Sequence, residues 1–346
     1  MHRIEDIIKA TSAKLICGLP DTRIGAVSID TRTIKPNEVF VAVKGNNFDG
    51  HDFIEQAVLK GAACIICRTG LDKNILLRLR KQSGRITVIE VEDTVKALGD
   101  IAGFMRREAC VPVIAITGSA GKTTTKEMLA WVLSSKFKVL KNEGTQNNNI
   151  GVPLTLLKID KTYDYAVIEL GTNHFGEIEN LVNITSPNIG IITNIGASHL
   201  EYFGDLPGVF KEKIVLLRSL KSPRIGIVNA DDDFLKKELF NPADNATIFS
   251  YGIKNKAEFF VKDVVYSPKG LSFCLNPKVK NRRESGRRVS GRAFATGGAG
   301  LPSQLGCAPL RGSKQWHCSS TPIASPAAPA SPNARTRRSL PATRST

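Results

Sequence analysis

The stretch "VIAITGSAGKTTTKEM", residues 113–128, decides the fold of this 346-residue chain. Its apolar start predicts a buried strand, its glycines at 118 and 121 predict a tight turn, and the residues from Lys122 onward predict a helix. A strand, a glycine-rich turn and a helix in this order are typical of a phosphate-binding P-loop. The pattern G-x-x-x-x-G-K-[ST] would place another glycine at position 116, which is Ile116 here. The loop is therefore a compact G-x-x-G-K-T-T variant.

The side chains of this loop suit a nucleotide. Lys122 can reach the β and γ phosphates, and the Thr123 hydroxyl can bind Mg²⁺. A chance G-K-T in a flexible loop is the alternative, against which the flanking strand and helix argue. The candidate nucleotide-binding residues are Gly118, Ser119, Ala120, Gly121, Lys122, Thr123 and Thr124.

Short apolar runs alternate with helical stretches from Val113 onward. Continuous apolar runs are typical of strands that are buried on both faces. The runs are "VIAIT", "YAVIEL", "IGIITNI" and "RIGIVNA". The pattern predicts an α/β fold with a doubly wound, mostly parallel sheet, whose ligands bind at the carboxyl ends of the strands.

Residues 1–93 predict a separate, small α/β domain. Strands are expected around Phe40–Val43 and Ala63–Cys67, and "FIEQAVLKGA" between them predicts a helix that ends at a glycine. The next segment, "VEDTVKALGDIAGFMRRE", predicts an amphipathic helix with either Asp93 or Thr94 as N-cap. We thus expect domains at 1–93 and 94–280, followed by a tail at 281–346.

The formal net charge of +16 lies mostly in this tail. Residues 281–346 contain eleven Lys or Arg and one acidic residue, Glu284, a balance of +10, which leaves +6 for residues 1–280. Arg, Ser, Pro, Ala and Gly dominate the tail without periodicity, which predicts disorder. Nucleic-acid binding through the arginines is an alternative function. Its weakness is that few aromatic residues accompany them, so no nucleic-acid partner is expected.

The seven cysteines are scattered and odd in number, which suits a reducing cytoplasm. Cys64 and Cys67 form a lone C-x-x-C within an apolar run, which we interpret as strand core. The N-terminus lacks the features of a signal peptide, and no run reaches the roughly 18 apolar residues that cross a bilayer. A cytoplasmic protein without membrane insertion is expected.

The segment "TGSAGKTTTKEM" resembles the loop T-G-[TS]-x-G-K-T-[TS] of the Mur ligases, and is most similar to the MurF type of that family. The resemblance extends over residues 24–275. It implies ATP-dependent ligation of D-alanyl-D-alanine to UDP-N-acetylmuramoyl-tripeptide through an acyl phosphate, in peptidoglycan synthesis. ATP and Mg²⁺ are the implied cofactors, and a monomer is expected.

Two further segments resemble substrate-binding parts of the family. "SIDTRTIKPNEVFVAVKGNNFDGHDFI" is similar to the segment that binds the UDP end, although Thr31 replaces a serine and Asn37 a glycine. "GTQNNNIGVPLTLL" resembles an asparagine-rich substrate loop. The alternatives are turns that only connect strands, and a loop that satisfies its own backbone. The implied contacts are Ser28, Asp30, Thr31, Lys44, Asn47, Gly50, His51, Asn147 and Asn148.

The remaining resemblances concern charge and metal. "YAVIELGTNHFGEI" implies Glu169 as a Mg²⁺ ligand, with a structural ion pair as the alternative. "ITNIGASHLEYFGD" implies His199 as a ligand of a second ion. "GVFKEKIVLL" places Lys213 where the family has a carbamylated lysine, although the following residues depart from the family's pattern. "IVNADDD" implies Asn229 near the adenine.

The resemblance thus implies two overlapping sets of residues. The catalytic set is Lys122, Glu169, His199 and Lys213, and the metal-binding set is Thr123, Glu169, His199 and Lys213.

The resemblance also implies a third domain that binds the incoming dipeptide and closes over ATP. Residues 281–346 do not resemble such a domain. Our hypothesis is that the tail is out-of-frame translation or a mispredicted gene end. The chain is then either an ATP-dependent ligase or an inactive remnant that only binds nucleotide or UDP-sugar.

Overall fold

A computed structural model describes residues 2–45, 47–82, 86–239, 246–267, 270–277, 289–293, 306–309 and 316–319. The chain forms two compact units. The first contains Met1–Phe260 and Pro277–Lys280, and the second contains Val261–Asn276 and Asn281–Thr346. The predicted boundaries at residues 93 and 280 are not among these divisions and stay predictions.

The first sheet of the first unit has five strands in the order β1-β5-β4-β3-β2. Its strands are parallel to their neighbours except β1, which is antiparallel to β5. The strands are β1 Lys14–Cys17, β2 Val27–Ser28, β3 Val39–Val41, β4 Cys64–Arg68 and β5 Thr87–Val91; the helices are α1 Ile4–Thr11, α2 Ile54–Leu59 and α3 Lys73–Gln82, with a 3-10 turn at Gly50–Phe53. The predicted strands and helix of this region are thus present, with shifted ends.

The alternation of side chains along β3 and β4 divides the core of this sheet in two. Val39 packs on one face with α1, whereas Phe40 packs on the other face with α2. Cys64 and Cys67 lie on opposite faces for the same reason, because strand residues three apart point in opposite directions. Both thiols are fully buried, and burial raises the pKa of Cys67 to about 12. The C-x-x-C is therefore strand core, as predicted, and its thiols cannot share a metal ion.

The helix α4, Thr94–Ala109, connects the two sheets of this unit. Asp93 is its N-cap, because the Asp93 carboxylate accepts hydrogen bonds from the N–H groups of Val95 and Lys96 at 2.7 and 3.1 Å. Leu98 packs into the core of the first sheet. A Cβ on Gly99 would lie 2.8 Å from Ile184 Cδ1, so this glycine allows the helix to approach the second sheet's layer closely.

The second sheet is parallel in the order β7-β8-β6-β9-β10-β11. The start of a further strand, β12 Phe259–Ser267, pairs in parallel with β11. The other strands are β6 Val113–Thr117, β7 Val139–Lys141, β8 Tyr165–Glu169, β9 Ile189–Ile192, β10 Ile225–Asn229 and β11 Thr247–Gly252. The helices are α5 Lys122–Leu133, α6 Gly151–Leu156, α7 Glu177–Thr185, α8 Leu200–Phe203, α9 Leu206–Lys213, α10 Val215–Arg218 and α11 Leu235–Glu238.

Apolar side chains cover both faces of the central strand β6. Val113 and Ala115 belong to one hydrophobic cluster, whereas Ile114 and Ile116 belong to another. This is the doubly covered parallel sheet that the continuous apolar runs predicted. The carboxyl ends of its strands carry the polar segments described below.

The described residues of the second unit include the rest of β12 from Val261, most of β13 Gly270–Pro277, and the strands β14 Val289–Ala293, β15 Gly306–Pro309 and β16 Trp316–Ser319. β13 is antiparallel to β14, and β15 is antiparallel to β16. The remainder of 281–346 lies outside the described residues, so the disorder predicted there stays a prediction. Across the described ranges, no helix has the length and apolar character needed to span a membrane.

We expect Asp93→Ala to lower the free energy of unfolding by about 1 kcal/mol, because two N–H groups in the first turn of α4 lose their acceptor. Urea unfolding followed by circular dichroism measures the change. Glu108→Ala, which removes an exposed carboxylate from the same helix, is the matched control and should stay within about 0.5 kcal/mol of the original protein. Equal effects of the two changes would contradict the capping role.

Candidate active site

The P-loop joins the end of β6 to the start of α5, and two glycines shape it. Gly118 has φ 146° and Gly121 has φ 78°, values that favour glycine. A Cβ on Gly118 would lie 1.9 Å from Thr193 Oγ1, so no other residue fits there. Ile116 lies inside β6, paired with Glu169 and Ile191 of the neighbouring strands, and is fully buried. A strand residue at this position explains why the motif has no glycine there.

The segment after β9 holds the P-loop in place. The Ser119 N–H donates to Asn194 O at 3.0 Å, and the Ala120 N–H donates to Asn194 Oδ1 at 2.9 Å. The Ser119 hydroxyl donates to Gly196 O at 2.9 Å. The conformation of the loop is therefore set by the protein before any ligand arrives. Asn194 lies in a segment that the sequence singled out only for His199, so this contact was missed.

Lys122 begins α5 and is folded against its own loop. Its Nζ donates to Gly118 O at 2.9 Å. Burial lowers the pKa of Lys122, and the nearby charge of Glu169 partly offsets this effect. The side chain of Thr123 is half-buried beside it and that of Thr124 is exposed. Phosphate oxygens are stronger partners for an ammonium than a carbonyl is, so Lys122 is available to an anionic ligand.

Glu169 is a nearly fully buried carboxylate at the end of β8. Its Oε1 accepts a hydrogen bond from Asn147 Nδ2 at 2.8 Å. Its Oε2 is buried without a hydrogen-bond partner and lies 3.8 Å from Lys126 Nζ. The structural ion pair considered as an alternative thus exists at long distance, and it leaves one oxygen unsatisfied. An unsatisfied buried carboxylate oxygen fits a cation ligand.

The two lysines of helix α9 differ in their exposure to solvent. Lys211 is exposed, with Nζ 5.9 Å from the ring centre of Phe175, whereas Lys213 is buried. Burial, together with the charge of Lys122, lowers the pKa of Lys213 to about 8. Between them, Glu212 accepts hydrogen bonds from the N–H groups at the start of α7, including Ile178 at 2.8 Å. Glu212 fixes which face of α9 turns inward, and no sequence motif pointed to it.

His199, unlike Glu169 and Lys213, is exposed, and it has φ 52° just before α8. Its ring makes an edge contact with Phe203, with centroids 6.4 Å apart. Among the described residues, no group of three or more His, Cys, Asp or Glu is arranged to hold a metal ion. The metal-binding set of Thr123, Glu169, His199 and Lys213 therefore stays a prediction, which the unsatisfied Glu169 oxygen favours.

The three consecutive asparagines after Gln146 have different roles. Asn147 contacts Glu169, whereas Asn148 Oδ1 accepts from the N–H groups of Ile150 and Gly151 at the start of α6. Asn149 Oδ1 is buried without a hydrogen-bond partner. Asn148 thus serves the backbone, which was the stated alternative, and Asn149 is a polar group that the sequence reasoning passed over. A run of identical residues has no pattern that assigns these roles.

Asn229 supports the loop beneath the P-loop. Its Nδ2 donates to Thr193 O at 3.3 Å, and its Oδ1 accepts from the Asp231 N–H at 2.9 Å. Asp232 accepts from the Ile195 N–H at 2.6 Å and so connects the same two strand ends. The adenine contact of Asn229 stays a prediction.

The residues implied for UDP lie at two turns of the first sheet. Ser28 Oγ accepts from the Asp30 N–H at 3.1 Å, and Asp30 binds the Arg32 side chain, which holds the pKa of Asp30 below its usual value. Thr31 is buried, and its hydroxyl donates to Gln56 Oε1 at 2.7 Å. Thr31 therefore anchors the turn. Asn47 is exposed in the bend that precedes the second turn.

The second turn centres on His51. The Arg68 N–H donates to His51 Nε2 at 2.9 Å, so the proton lies on Nδ1, which donates to Asp49 Oδ1 at 2.6 Å. Both ring nitrogens are thus engaged within the protein. A Cβ on Gly50 would lie 2.7 Å from the backbone of Val43, so Gly50 is required by close packing.

A cleft of about 600 Å³ opens beside this turn. Lys44 and Arg68 supply positive charge to its lining, and Asp72, Glu92 and Asp93 supply negative charge. The cleft thus offers both donors and acceptors to a polar ligand. Of the residues implied for UDP, Lys44 and His51 line it.

Comparison with protein-family models assigns the segments described above to two domains of one family. The Mur ligase middle domain matches residues 116–292, and the Mur ligase family catalytic domain matches residues 23–106. The chain belongs to the Mur ligase family. The first match begins at the P-loop strand and the second includes the turns around Ser28 and His51.

Two named relatives of this Mur ligase are UDP-N-acetylmuramoyl-tripeptide–D-alanyl-D-alanine ligases. The protein of Escherichia coli (strain K12) is 39% identical, over 74% of this chain and 54% of the relative. That of Bacillus subtilis (strain 168) is 33% identical, over 80% of this chain and 57% of the relative. The chain thus spans little more than half the length of these relatives.

Solved structures agree with this assignment. MurF from Acinetobacter baumannii superposes with a TM-score of 0.73 at 32% identity, over 85% of this chain and 61% of that chain. MurF from Thermotoga maritima in complex with ADP superposes with a TM-score of 0.67 at 29% identity, over 79% and 59%. The Mur ligase fold expected from the P-loop segment is confirmed.

We expect Gly118→Ala in this Mur ligase to lower the free energy of unfolding by about 3 kcal/mol or more, because the new methyl group overlaps Thr193 and φ is unfavourable. Gly121→Ala is the control: its φ is also positive, but its Cβ would meet no atom, so about 1–2 kcal/mol is expected. Urea unfolding measures both. Similar losses would show that overlap with Thr193 does not constrain the loop.

Another prediction concerns how the stability of the turn at Asp49 depends on pH. Hydrogen bonds from the backbone and ring of His51 lower the pKa of Asp49, so the ionised carboxylate stabilises the fold above the unfolded pKa of about 4. This stabilisation is lost as the pH falls through the lowered, folded pKa. We expect Asp49→Asn to cost about 1 kcal/mol at pH 6–7 and progressively less as the pH falls below about 4.

Urea unfolding of Asp49→Asn between pH 3 and pH 7 tests this expectation. Asp52→Asn, an exposed carboxylate in the same turn, is the control and should show little difference at any pH. A cost for Asp49→Asn that does not change with pH would show that its charge is irrelevant.

Proposed function

We propose that this chain supplies the nucleotide-binding and UDP-substrate-binding parts of an ATP-dependent peptide ligase. This ligase would join D-alanyl-D-alanine to UDP-N-acetylmuramoyl-tripeptide in peptidoglycan synthesis. It would act as a monomer in the cytoplasm. The names of the relatives and the ADP bound to the Thermotoga maritima structure support the substrates and the nucleotide. One observation carries the proposal: a P-loop lysine whose charge interacts with both a buried, half-satisfied carboxylate and a buried lysine.

The chemistry requires two bond exchanges. The terminal carboxylate oxygen of the tripeptide attacks the γ phosphorus of ATP, and the bond to ADP breaks, which gives an acyl phosphate. The amine of the dipeptide then attacks the acyl carbon, phosphate leaves, and the nitrogen loses a proton. Because the first step brings two anions together, positioning and positive charge supply most of the catalysis. Lys122 and the N–H groups at the start of α5 supply this charge from the protein.

The proposed metal sites use a hydroxyl of α5, a carboxylate at the end of β8, an imidazole just before α8 and a lysine at the end of α9. Thr123 and Glu169 would hold one Mg²⁺, while His199 and carbamylated Lys213 would hold a second. The unsatisfied oxygen of Glu169 suits this role. Mg²⁺ bound there would neutralise phosphate charge.

The environment of Lys213 favours its proposed carbamylation. With a pKa of about 8, a substantial fraction of the amine is neutral near neutral pH, and only a neutral amine adds to CO₂. The addition forms an N–C bond, releases one proton and leaves an anionic carbamate. The repulsion between Lys213 and Lys122 then becomes an attraction, which stabilises the modified form.

The first domain, proposed as residues 1–93, would bind the UDP end of the substrate. The cleft beside Lys44 and His51 has the size and the mixed charge for a polar group. Ser28 and Asp30 lie at a neighbouring turn of the same domain. In the central domain, proposed as residues 94–280, Asn147 would also contact the substrate, and it donates a hydrogen bond to the Glu169 carboxylate. Binding of D-alanyl-D-alanine and closure over ATP would need the third domain that the resemblance implies.

We expect Lys122→Met to lower the affinity for ATP with Mg²⁺ by about 10- to 100-fold, the loss expected for one charge-assisted hydrogen bond, while affinity for UDP-N-acetylmuramoyl-tripeptide is kept. Isothermal titration calorimetry with each ligand measures both affinities. Lys136→Met, which removes an exposed lysine just after α5, is the control and should leave both unchanged.

An assay of ADP release with all three substrates completes this test. Turnover in the original chain that Lys122→Met abolishes supports ligation. Binding of both ligands without turnover would favour the remnant that only binds. If the original chain binds neither ligand, the proposed function is wrong.

A further inference from the structure

Lys126 is a fully buried lysine that lies one helical turn after Lys122 on α5. Its shortest contacts are to backbone carbonyls, because Nζ donates to Asn142 O at 2.7 Å and to Gly144 O at 2.9 Å. Its carboxylate neighbours are farther away, with Glu127 Oε1 at 3.2 Å and Glu169 Oε2 at 3.8 Å. A buried ammonium needs such partners to offset the loss of water. The geometry makes the loop carbonyls its principal partners.

The segment 142–147 that Lys126 contacts is joined to the end of β8 at several points. Asn142 Oδ1 accepts from the Glu169 N–H at 2.9 Å, and Asn142 Nδ2 donates to Glu169 O at 3.1 Å. Asn147 Nδ2 donates to Glu169 Oε1, and Asn147 O accepts from the Gly171 N–H at 2.8 Å. The position of this segment therefore determines where the Glu169 carboxylate lies.

Apolar packing does little to hold the middle of this segment. Glu143, Gly144, Thr145 and Gln146 are all exposed, and Gly144 has φ 50° with open space around it. Polar anchors must therefore hold the chain here. The contact from Lys126 to Gly144 O is such an anchor at the exposed turn, and it comes from the helix that starts at the P-loop.

We propose that Lys126 is a positioning residue that fixes segment 142–147 against α5 in the shape that receives the UDP-linked substrate. This inference rests on the proposed function for its ligand, although the contacts themselves do not. Because Lys122 and Lys126 lie on one rigid helix, the same helix contacts the predicted nucleotide site at one end and the predicted substrate loop one turn later. Lys126 would act through Asn147 and Glu169 and touch no reacting atom.

Lys126→Met tests the positioning directly, because methionine fills a similar volume without a donor. The control is Lys141→Met, which removes a lysine paired with the same Glu127 but without a hydrogen bond to the segment. Hydrogen–deuterium exchange of the full chain without ligand is the first measurement. We expect exchange at the amides of Gln146 and Asn147 to rise by about tenfold in Lys126→Met and to stay unchanged in Lys141→Met.

Ligand affinity is the second measurement. A purely structural role would change the affinities for both ligands alike, whereas a positioning role changes only the affinity for the UDP-linked substrate. We expect Lys126→Met to weaken binding of UDP-N-acetylmuramoyl-tripeptide by about tenfold, with less than a twofold change for ATP measured without Mg²⁺, because Glu169 is proposed to act on the nucleotide only through the metal ion. Equal loss of both affinities, or unchanged exchange in the segment, would overturn the proposal. If Lys126→Met does not fold, Lys126→Gln, which keeps a shorter donor, is measured in the same way.

The two proposals can fail separately. If the original chain binds neither ligand, the proposed function fails, and the exchange comparison still decides whether Lys126 holds the segment. If it binds both and Lys126→Met binds both equally well, the proposed function stands and the positioning role is wrong.

Discussion

The central domain depends on the close approach of Gly118 to Thr193. A Cβ at residue 118 would overlap the Thr193 hydroxyl, and the same strand end provides Asn194 and Gly196 as partners for Ser119 and Ala120. The P-loop is thus held against the end of β9, and Asn229 and Asp232 hold that end against β10. A phosphate-binding loop gains affinity when its N–H groups are fixed beforehand, because binding then costs less conformational entropy. The neighbouring strands provide that fixation.

Several charged side chains are buried around this loop, although burying a charge ordinarily destabilises a fold. Glu169, Lys126 and Lys213 are each almost completely buried, and charged groups are rarely buried unless they are paired. Lys126 has carbonyl and carboxylate partners, whereas Glu169 keeps one unsatisfied oxygen and Lys213 has a lowered pKa. The uncompensated part of the arrangement therefore lies at Glu169 and Lys213, where the proposed reaction needs cations and an added carbamate.

Much of the fold could be predicted from the sequence because its signals are local. Continuous apolar runs indicate strands covered on both faces, and the Gly118–Lys122 turn indicates where a ligand lies. The roles within the site could not be predicted, because they depend on contacts between distant segments. Asn148 caps α6 while Asn147 reaches Glu169, and Thr31 turns inward to Gln56. Lys126 and Glu212 were missed because an isolated charged residue on a helix ordinarily faces solvent.

One helix, α4, packs against both of the sheets that carry the predicted ligand sites. Leu98 of α4 packs into the core of the first sheet, while Arg106 of the same helix donates to Ser186 O and Asn188 Oδ1 beside the second sheet. Burial of a guanidinium lowers its pKa, so Arg106 needs these acceptors, and the two sheets are joined by polar as well as apolar contacts. The strands β1 to β11 all belong to the compact unit formed by Met1–Phe260 and Pro277–Lys280. The predicted nucleotide and UDP-sugar sites thus both lie within this unit, whereas the proposed reaction also needs a site for the dipeptide.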